Sequence, residues 1–213
     1  MTRDAASGHR GFGILISGRG SNMEALIRSV RQGRIPARPS VVISNEPDAA
    51  GLSTARSSGL ATAVVDHRES AGREEHDRRV MEILESHNVE LICLAGYMRL
   101  LSTAFVRVYP GRIMNIHPSL LPAFPGLHVQ RKAVKYGVKV SGCTVHFVDE
   151  ELDHGPIILQ KAVEVRDQDT EATLSARILE VEHRLYPEAV RLFFEDRLSI
   201  EGRRVLIRPP ARE

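Results

Sequence analysis

Short apolar, β-branched runs alternate with longer amphipathic segments through the first half of this chain, and no other feature restricts its fold as much. A run of a few apolar residues reads as a buried strand. An amphipathic stretch between two such runs reads as the crossover helix of a βαβ unit. Strands are expected at Phe12–Ser17, Val41–Ser44, Ala61–Val65, Leu91–Ala95 and Ile113–His117. Helices are expected at Met23–Gln32, Ala49–Ser58, Arg73–His87 and Thr103–Val108, and in the third Val80, Ile83, Leu84 and His87 fall at helical spacing. Such a series builds a parallel sheet with helices packed on its faces.

The text changes after His117. Pro118, Pro122, Pro125 and Gly126 mark a loop, and a helix is expected at Val129–Tyr136. Two strand-like runs, Gly142–Val148 and Ile157–Val165, flank the acidic stretch DEELDHG. An amphipathic helix near Thr170–Arg197 carries Leu174, Ile178, Val181 and Leu185 on one side, and Pro187 is expected to bend or divide it. Leu198–Glu201 and Val205–Arg208 read as a hairpin. The expected fold is α/β: a mostly parallel, doubly wound (Rossmann-like) sheet of about seven strands flanked by helices, with a short C-terminal hairpin. No internal repeat or long linker divides the 213 residues, so one domain is expected over 12–213, behind an extension at 1–11 expected to be disordered.

Composition removes several function classes. With 42% hydrophobic and 26% charged residues and a net charge of +2, the chain reads as an ordinary globular protein. The sequence pI of about 8.7 falls short of the range above about 9 that marks nucleic-acid-binding domains. No run reaches the ~18 apolar residues of a membrane span. The two cysteines, Cys93 and Cys143, each lie in an apolar run and read as free buried thiols in a reducing compartment, which places the protein in the cytoplasm. The histidines at 117, 128, 146 and 154 lack the spacing of metal ligands, so no metal is expected.

Three segments carry chemistry. The first strand runs into Ser17-Gly18-Arg19-Gly20-Ser21-Asn22 and then a helix. The glycines let the backbone approach a ligand closely, Ser21 or Asn22 can cap the helix, and its free N–H groups can hold an anion. Met23 stands where a dinucleotide fingerprint needs its third glycine, so a monophosphate suits the loop better. A tight turn with a capped helix fits the same six residues. In Ile113-Met114-Asn115-Ile116-His117-Pro118, Asn115 and His117 are two apart and share one face of a strand. An imidazole moves protons near neutrality and an amide donates to a developing oxyanion; a hydrogen-bonded core histidine is the plainer account. In the acidic stretch, Asp153 stands just before a turn, where a carboxylate near His117 would stabilise the charged imidazole and raise its pKa. A solvated acidic loop is the alternative.

Together SGRGSN, LAGYMRLL, NIHPSLLPAFPG and LDHGPIILQ resemble the glycinamide ribonucleotide formyltransferase family, in order and over nearly the whole chain. NIHPSLLP with a downstream D-x-G marks the wider folate-dependent formyltransferase superfamily, and SGRGSN narrows it to this branch. The resemblance implies the formyltransferase fold, with a phosphate-binding half at 12–110 and a catalytic and folate-binding half at 111–213. It implies formyl transfer from the cosubstrate 10-formyltetrahydrofolate to the amine of glycinamide ribonucleotide, in de novo purine synthesis, with no tightly bound cofactor and no metal.

Site roles follow from the same resemblance. Asn115 would donate to the formyl oxygen, His117 would stabilise the oxyanion and relay a proton, and Asp153 would keep the imidazole protonated. Gly20, Ser21 and Asn22 would hold the substrate phosphate, and Glu182 the ribose hydroxyls. Arg73, Met98, Arg99, Leu100 and Leu101 would line the folate site, with Asp149, Glu150, Glu151, Leu152 and Asp153 as its other wall. Arg112 would reach towards the nucleotide. The implied partners are the two small-molecule substrates, without nucleic acid or membrane, and a homodimer is allowed.

Formyltetrahydrofolate deformylase has a similar triad but is expected to carry an N-terminal regulatory domain and to lack SGRGSN. A methionyl-tRNA formyltransferase would need a C-terminal tRNA-binding domain of roughly 100 residues, a small domain's size. A folate- or nucleotide-binding module without activity would not need Asn115, His117 and Asp153 together. The length of the chain favours the transferase.

Overall fold

The computed structural model describes residues 10–210. Five strands form the parallel part of one sheet: β1 (Gly11–Ile16), β2 (Arg38–Ser44), β3 (Thr62–Val64), β4 (Leu91–Leu94) and β5 (Ile113–His117). Between them run α1 (Ser21–Arg31), α2 (Ala50–Ser57), α3 (Arg73–Ser86) and α4 (Thr103–Val108). After α5 (Val129–Tyr136), β6 (Val140–Phe147) and β7 (Ile157–Glu164) add antiparallel pairings, and α6 (Glu171–Phe194) precedes β8 (Leu198–Glu201) and β9 (Arg204–Ile207). The strand order is β3-β2-β1-β4-β5-β6-β7-β9-β8. The nine strands are the seven expected plus the hairpin, which extends the same sheet through a β7–β9 pairing.

Alternation along the strands sorts the core into two layers. Phe12, Ile14 and Ile16 of β1 and Met114 and Ile116 of β5 face the layer beneath α1, α2 and α6. Leu15, Ile92 and Ile113 face the opposite layer, where Val80 and Leu84 of α3 and Phe105 of α4 pack. All six residues of β1 are buried, as a central strand covered on both faces requires.

Two boundaries differ from the sequence reading. Residues 1–9 of the expected extension lie outside the described residues. Gly11 already opens β1, and Arg10 forms ion pairs with Glu90 at 2.6 Å and Asp196 at 2.9 Å, so the folded unit starts before Phe12.

The second concerns α6, which is one helix of 24 residues, about 36 Å long, and Pro187 does not divide it. Packing on both sides of the proline explains this. Tyr186, Ala189 and Val190 are fully buried, and the Tyr186 hydroxyl lies 2.9 Å from Met114 O and 3.1 Å from Leu94 O. The helix is anchored to β4 and β5 beside the missing backbone N–H. Its start is fixed by a capping box in which Thr173 N–H donates to Thr170 Oγ1 and Thr170 N–H to Thr173 Oγ1.

Tyr186→Phe leaves two buried carbonyls without that donor. It is expected to lower unfolding stability by about 1–3 kcal/mol, measured by urea denaturation. An unchanged midpoint would show that the hydroxyl does not anchor the helix.

Candidate active site

The loop between β1 and α1 is shaped by Gly20, which takes φ 78°. A Cβ there would come within 3.3 Å of Gly51 Cα in α2, whose N–H donates to Gly18 O at 3.0 Å. Gly20 is the N-cap of α1 and no side chain caps it, contrary to the expectation for Ser21 or Asn22. The first-turn N–H groups of Ser21, Asn22 and Met23 thus lack intrahelical partners, and with the helix dipole they suit an anion.

Asn22 turns instead towards α6, where its Nδ2 donates to Glu182 Oε2 at 2.8 Å. Both are buried. Burial pushes the Glu182 carboxyl up to about 6 from an ordinary 4.5, against the lowering effect of the Asn22 hydrogen bond. Arg19, Asn22, Glu182, Met98, Ile116 and Pro118 help line an open cleft of about 560 Å³.

The other half of the site lies on β5 and β6. Asn115 and His117 share the face that carries Ile113, as their spacing predicts. The antiparallel register sets Asn115 against His146 and His117 against Thr144. His146 Nδ1 lies 2.7 Å from Phe147 O, so it carries the proton and donates. In that tautomer the neutral ring offers Nε2 as acceptor to Asn115 Nδ2, 3.2 Å away. Burial, the largest influence on His146, lowers its pKa and favours this neutral form. One Asn115 N–H is thereby committed and the amide orientation fixed. Its second N–H has no hydrogen-bond partner among the described residues.

His117 is buried, with Nε2 2.9 Å from Phe124 O and Nδ1 3.4 Å from Asp153 Oδ2. Each ring nitrogen therefore faces an acceptor. Asp153 sits at φ 51°, accepts Gly126 N–H at 2.8 Å, and lies 3.9 Å from His146 Nε2 through its other oxygen. The proline-rich loop is held from β6: Thr144 Oγ1 donates to Ser119 O at 2.7 Å and accepts Leu121 N–H at 3.0 Å. The carboxylate that the sequence could not place is thus beside both histidines.

The chain is similar over most of its length to known proteins of one family. The formyl transferase family model matches residues 12–190. The phosphoribosylglycinamide formyltransferase of Escherichia coli (strain K12) is 43% identical over 187 residues, covering 88% of each chain. The chain belongs to the phosphoribosylglycinamide formyltransferase family. A crystal structure of glycinamide ribonucleotide transformylase 1 from Symbiobacterium toebii superposes with a TM-score of 0.93 at 52% identity, covering 96% of each chain. The trifunctional purine biosynthetic protein adenosine-3 of Gallus gallus is 49% identical over 179 residues, 84% of this chain. This chain spans 18% of that relative's length.

Within this family member the remaining expected positions divide. Met98 and Leu100 are exposed, at 66% and 50%, with Arg99 and Leu101 between and beside them. Across from them, Glu150 pairs with Arg107 of α4 at 2.8 Å, Asp149 with His154 at 2.7 Å, and Leu152 is exposed beside Gly126. Glu151 is exposed, with its N–H bonded to Asp149 Oδ1. Arg73 stands exposed in the first turn of α3, and its side chain makes no hydrogen bond among the described residues.

Arg112 does not reach the site. It precedes β5, at the end opposite His117, stacks on Tyr109 at 5.0 Å and donates to Val108 O. A five-residue strand places it roughly 16 Å from His117. His146 was missed by the sequence reading beyond its unsuitability as a metal ligand. Its role depends on the β5–β6 register, which no local pattern encodes.

Glu182 makes stability pH-dependent. Its folded-state pKa is raised, so its contribution is complete below the ordinary value of 4.5 and is lost as pH rises through about 6. Glu182→Gln keeps an acceptor for Asn22 without the charge. It should match wild type near pH 4 and gain up to about 2 kcal/mol at pH 8, read by denaturant melts. A constant difference across pH would contradict this assignment.

Proposed function

We propose that this site transfers the formyl group of 10-formyltetrahydrofolate to the primary amine of phosphoribosylglycinamide, in de novo purine biosynthesis in the cytoplasm. The amine attacks the formyl carbon, the carbonyl oxygen gains charge in a tetrahedral intermediate, and the carbon–nitrogen bond to folate then breaks. The amine loses one proton and the departing folate nitrogen gains one, giving the formamide and tetrahydrofolate.

The observation that carries the reading is the uncommitted N–H of Asn115, next but one along the strand from a buried imidazole faced by a carboxylate. That N–H donates to the oxyanion, since His146 holds the amide with its nitrogen side fixed. His117 relays the proton from amine to folate nitrogen through Nε2, which exchanges Phe124 O for the bound substrates. Asp153 holds the ring on the opposite side from Phe124 O and stabilises its charged form during the relay.

The substrate phosphate sits on the first-turn N–H groups beyond Gly20, with Ser21 and Asn22, and Glu182 takes the ribose hydroxyls. The cleft that joins this loop to Ile116 and Pro118 supports that placement, because it runs from the anion site to the two residues that flank His117 at the end of β5. The folate lies between Met98–Leu101 and the 149–153 segment, with Arg73 at its edge. Apolar side chains cover the pteridine faces and backbone groups read its rim.

His117→Ala and Asn115→Ala are expected to lower turnover by about 10²–10⁴-fold and 10²–10³-fold respectively, with ribonucleotide affinity and circular dichroism unchanged. Turnover is followed by the absorbance change of the folate product. Wild-type-like turnover in either variant would remove the mechanism. Donor consumption that proceeds equally without ribonucleotide would assign a deformylase instead.

A further inference from the structure

The segment from Tyr97 to Ser102 has neither helix nor strand structure; Tyr97 and Leu101 pack on the apolar layer beneath it, while Met98 and Leu100 point into solvent. Side-chain packing thus anchors Tyr97 and Leu101 but does not set the backbone path between them. Two polar tethers hold its ends. At one end Met98 N–H donates to Ser17 Oγ at 2.8 Å, and that hydroxyl in turn donates to Asn45 Oδ1 at 2.5 Å. At the other, Ser102 N–H donates to Asp77 Oδ2 at 2.5 Å. Between the tethers, no backbone N–H or C=O of Arg99, Leu100 or Leu101 makes a hydrogen bond within the described residues.

Asp77 is a costly residue in its position. It is 2% exposed on α3, and the formyl-transfer chemistry makes no use of it. Burying a carboxylate is unfavourable unless hydrogen bonds compensate, so its partners show what it is for. They are Ser102 N–H and the fully buried His76, whose Nδ1 lies 3.4 Å from Asp77 Oδ1 and whose Nε2 donates to Val65 O at 3.1 Å. Ser102 then caps α4 by accepting Phe105 N–H on its hydroxyl at 3.2 Å. The carboxylate thus fixes both the end of the irregular segment and the start of the next helix.

We propose that Asp77 and Ser17 are positioning residues for the folate cosubstrate, which hold the three unpaired backbone residues Arg99–Leu101 at a fixed spacing for its planar heterocycle. The proposal rests on the reading above that this segment lines the folate site. Preorganised backbone groups bind without paying the ordering cost again, so loosening either tether weakens folate binding and leaves bound-state chemistry intact. Ser17 also directly precedes the phosphate loop, whereas Asp77 touches only the folate side.

The test compares Asp77→Ala, Asp77→Asn and Ser17→Ala in steady-state formyl transfer, varying each substrate in turn. In D77N the amide oxygen can still accept Ser102 N–H, and its nitrogen can donate to His76 Nδ1 when that atom carries no proton, so this variant keeps the tether and stays close to wild type. D77A and S17A are each expected to raise KM for 10-formyltetrahydrofolate about tenfold or more, as loss of a buried hydrogen bond implies. In D77A, kcat and KM for the ribonucleotide stay within about twofold.

Unchanged folate KM in S17A, or in a folded D77A, would overturn the proposal. So would equal losses for both substrates in D77A, or a D77N as impaired as D77A. If D77A does not fold, S17A and D77N decide. Failure of the underlying reading looks different: wild-type protein would then neither bind the folate nor transfer its formyl group.

Discussion

The antiparallel pairing of β6 on β5 is the constraint on which the site depends, because it interrupts a run of parallel strands where the polar side chains stand. The register sets His146 opposite Asn115 and Thr144 opposite His117, all on one face of the sheet. One partner fixes the Asn115 amide, and the other pins the loop whose Phe124 carbonyl holds the imidazole. The end of β6 then leads into the turn that carries Asp153 back towards both rings. A slip of one residue would send each of these side chains to the opposite layer. The buried apolar alternation of β5 and β6 is what prevents that slip.

Around this pairing the chain spends buried polar groups in two ways. Asn22 and Glu182 join the loop after β1 to α6, across 160 residues of sequence. Asp77 and Ser17 tether the irregular segment Tyr97–Ser102 to α3 and β1. In each case a carboxylate or hydroxyl is desolvated to hold a loop or an irregular segment in place. The large apolar layers supply the stability that such desolvation consumes.

Much of this was legible in the sequence, for physical reasons. Strand and helix positions followed from apolar runs and helical spacing, and Asn115 and His117 shared a face because a strand has a period of two. The failures came where tertiary contacts decide. Pro187 could not divide α6 once Tyr186, Ala189 and Val190 were packed around it. Gly20, rather than Ser21 or Asn22, became the helix cap because Asn22 found Glu182, 160 residues away. Arg10 looked like part of a tail because its partners, Glu90 and Asp196, are distant in sequence. His146 and Asp77 carried no local signal, since each acts through a neighbour that only the fold supplies.

The central claim is that the Asn115, His117 and Asp153 arrangement moves a formyl group between two bound substrates rather than releasing it to water. The most direct measurement supplies 10-formyltetrahydrofolate labelled with ¹³C in the formyl carbon, together with phosphoribosylglycinamide, and follows the label by NMR. The account predicts a new formamide signal on the ribonucleotide, growing in step with tetrahydrofolate. Label recovered as free formate, or left on the folate, would contradict it.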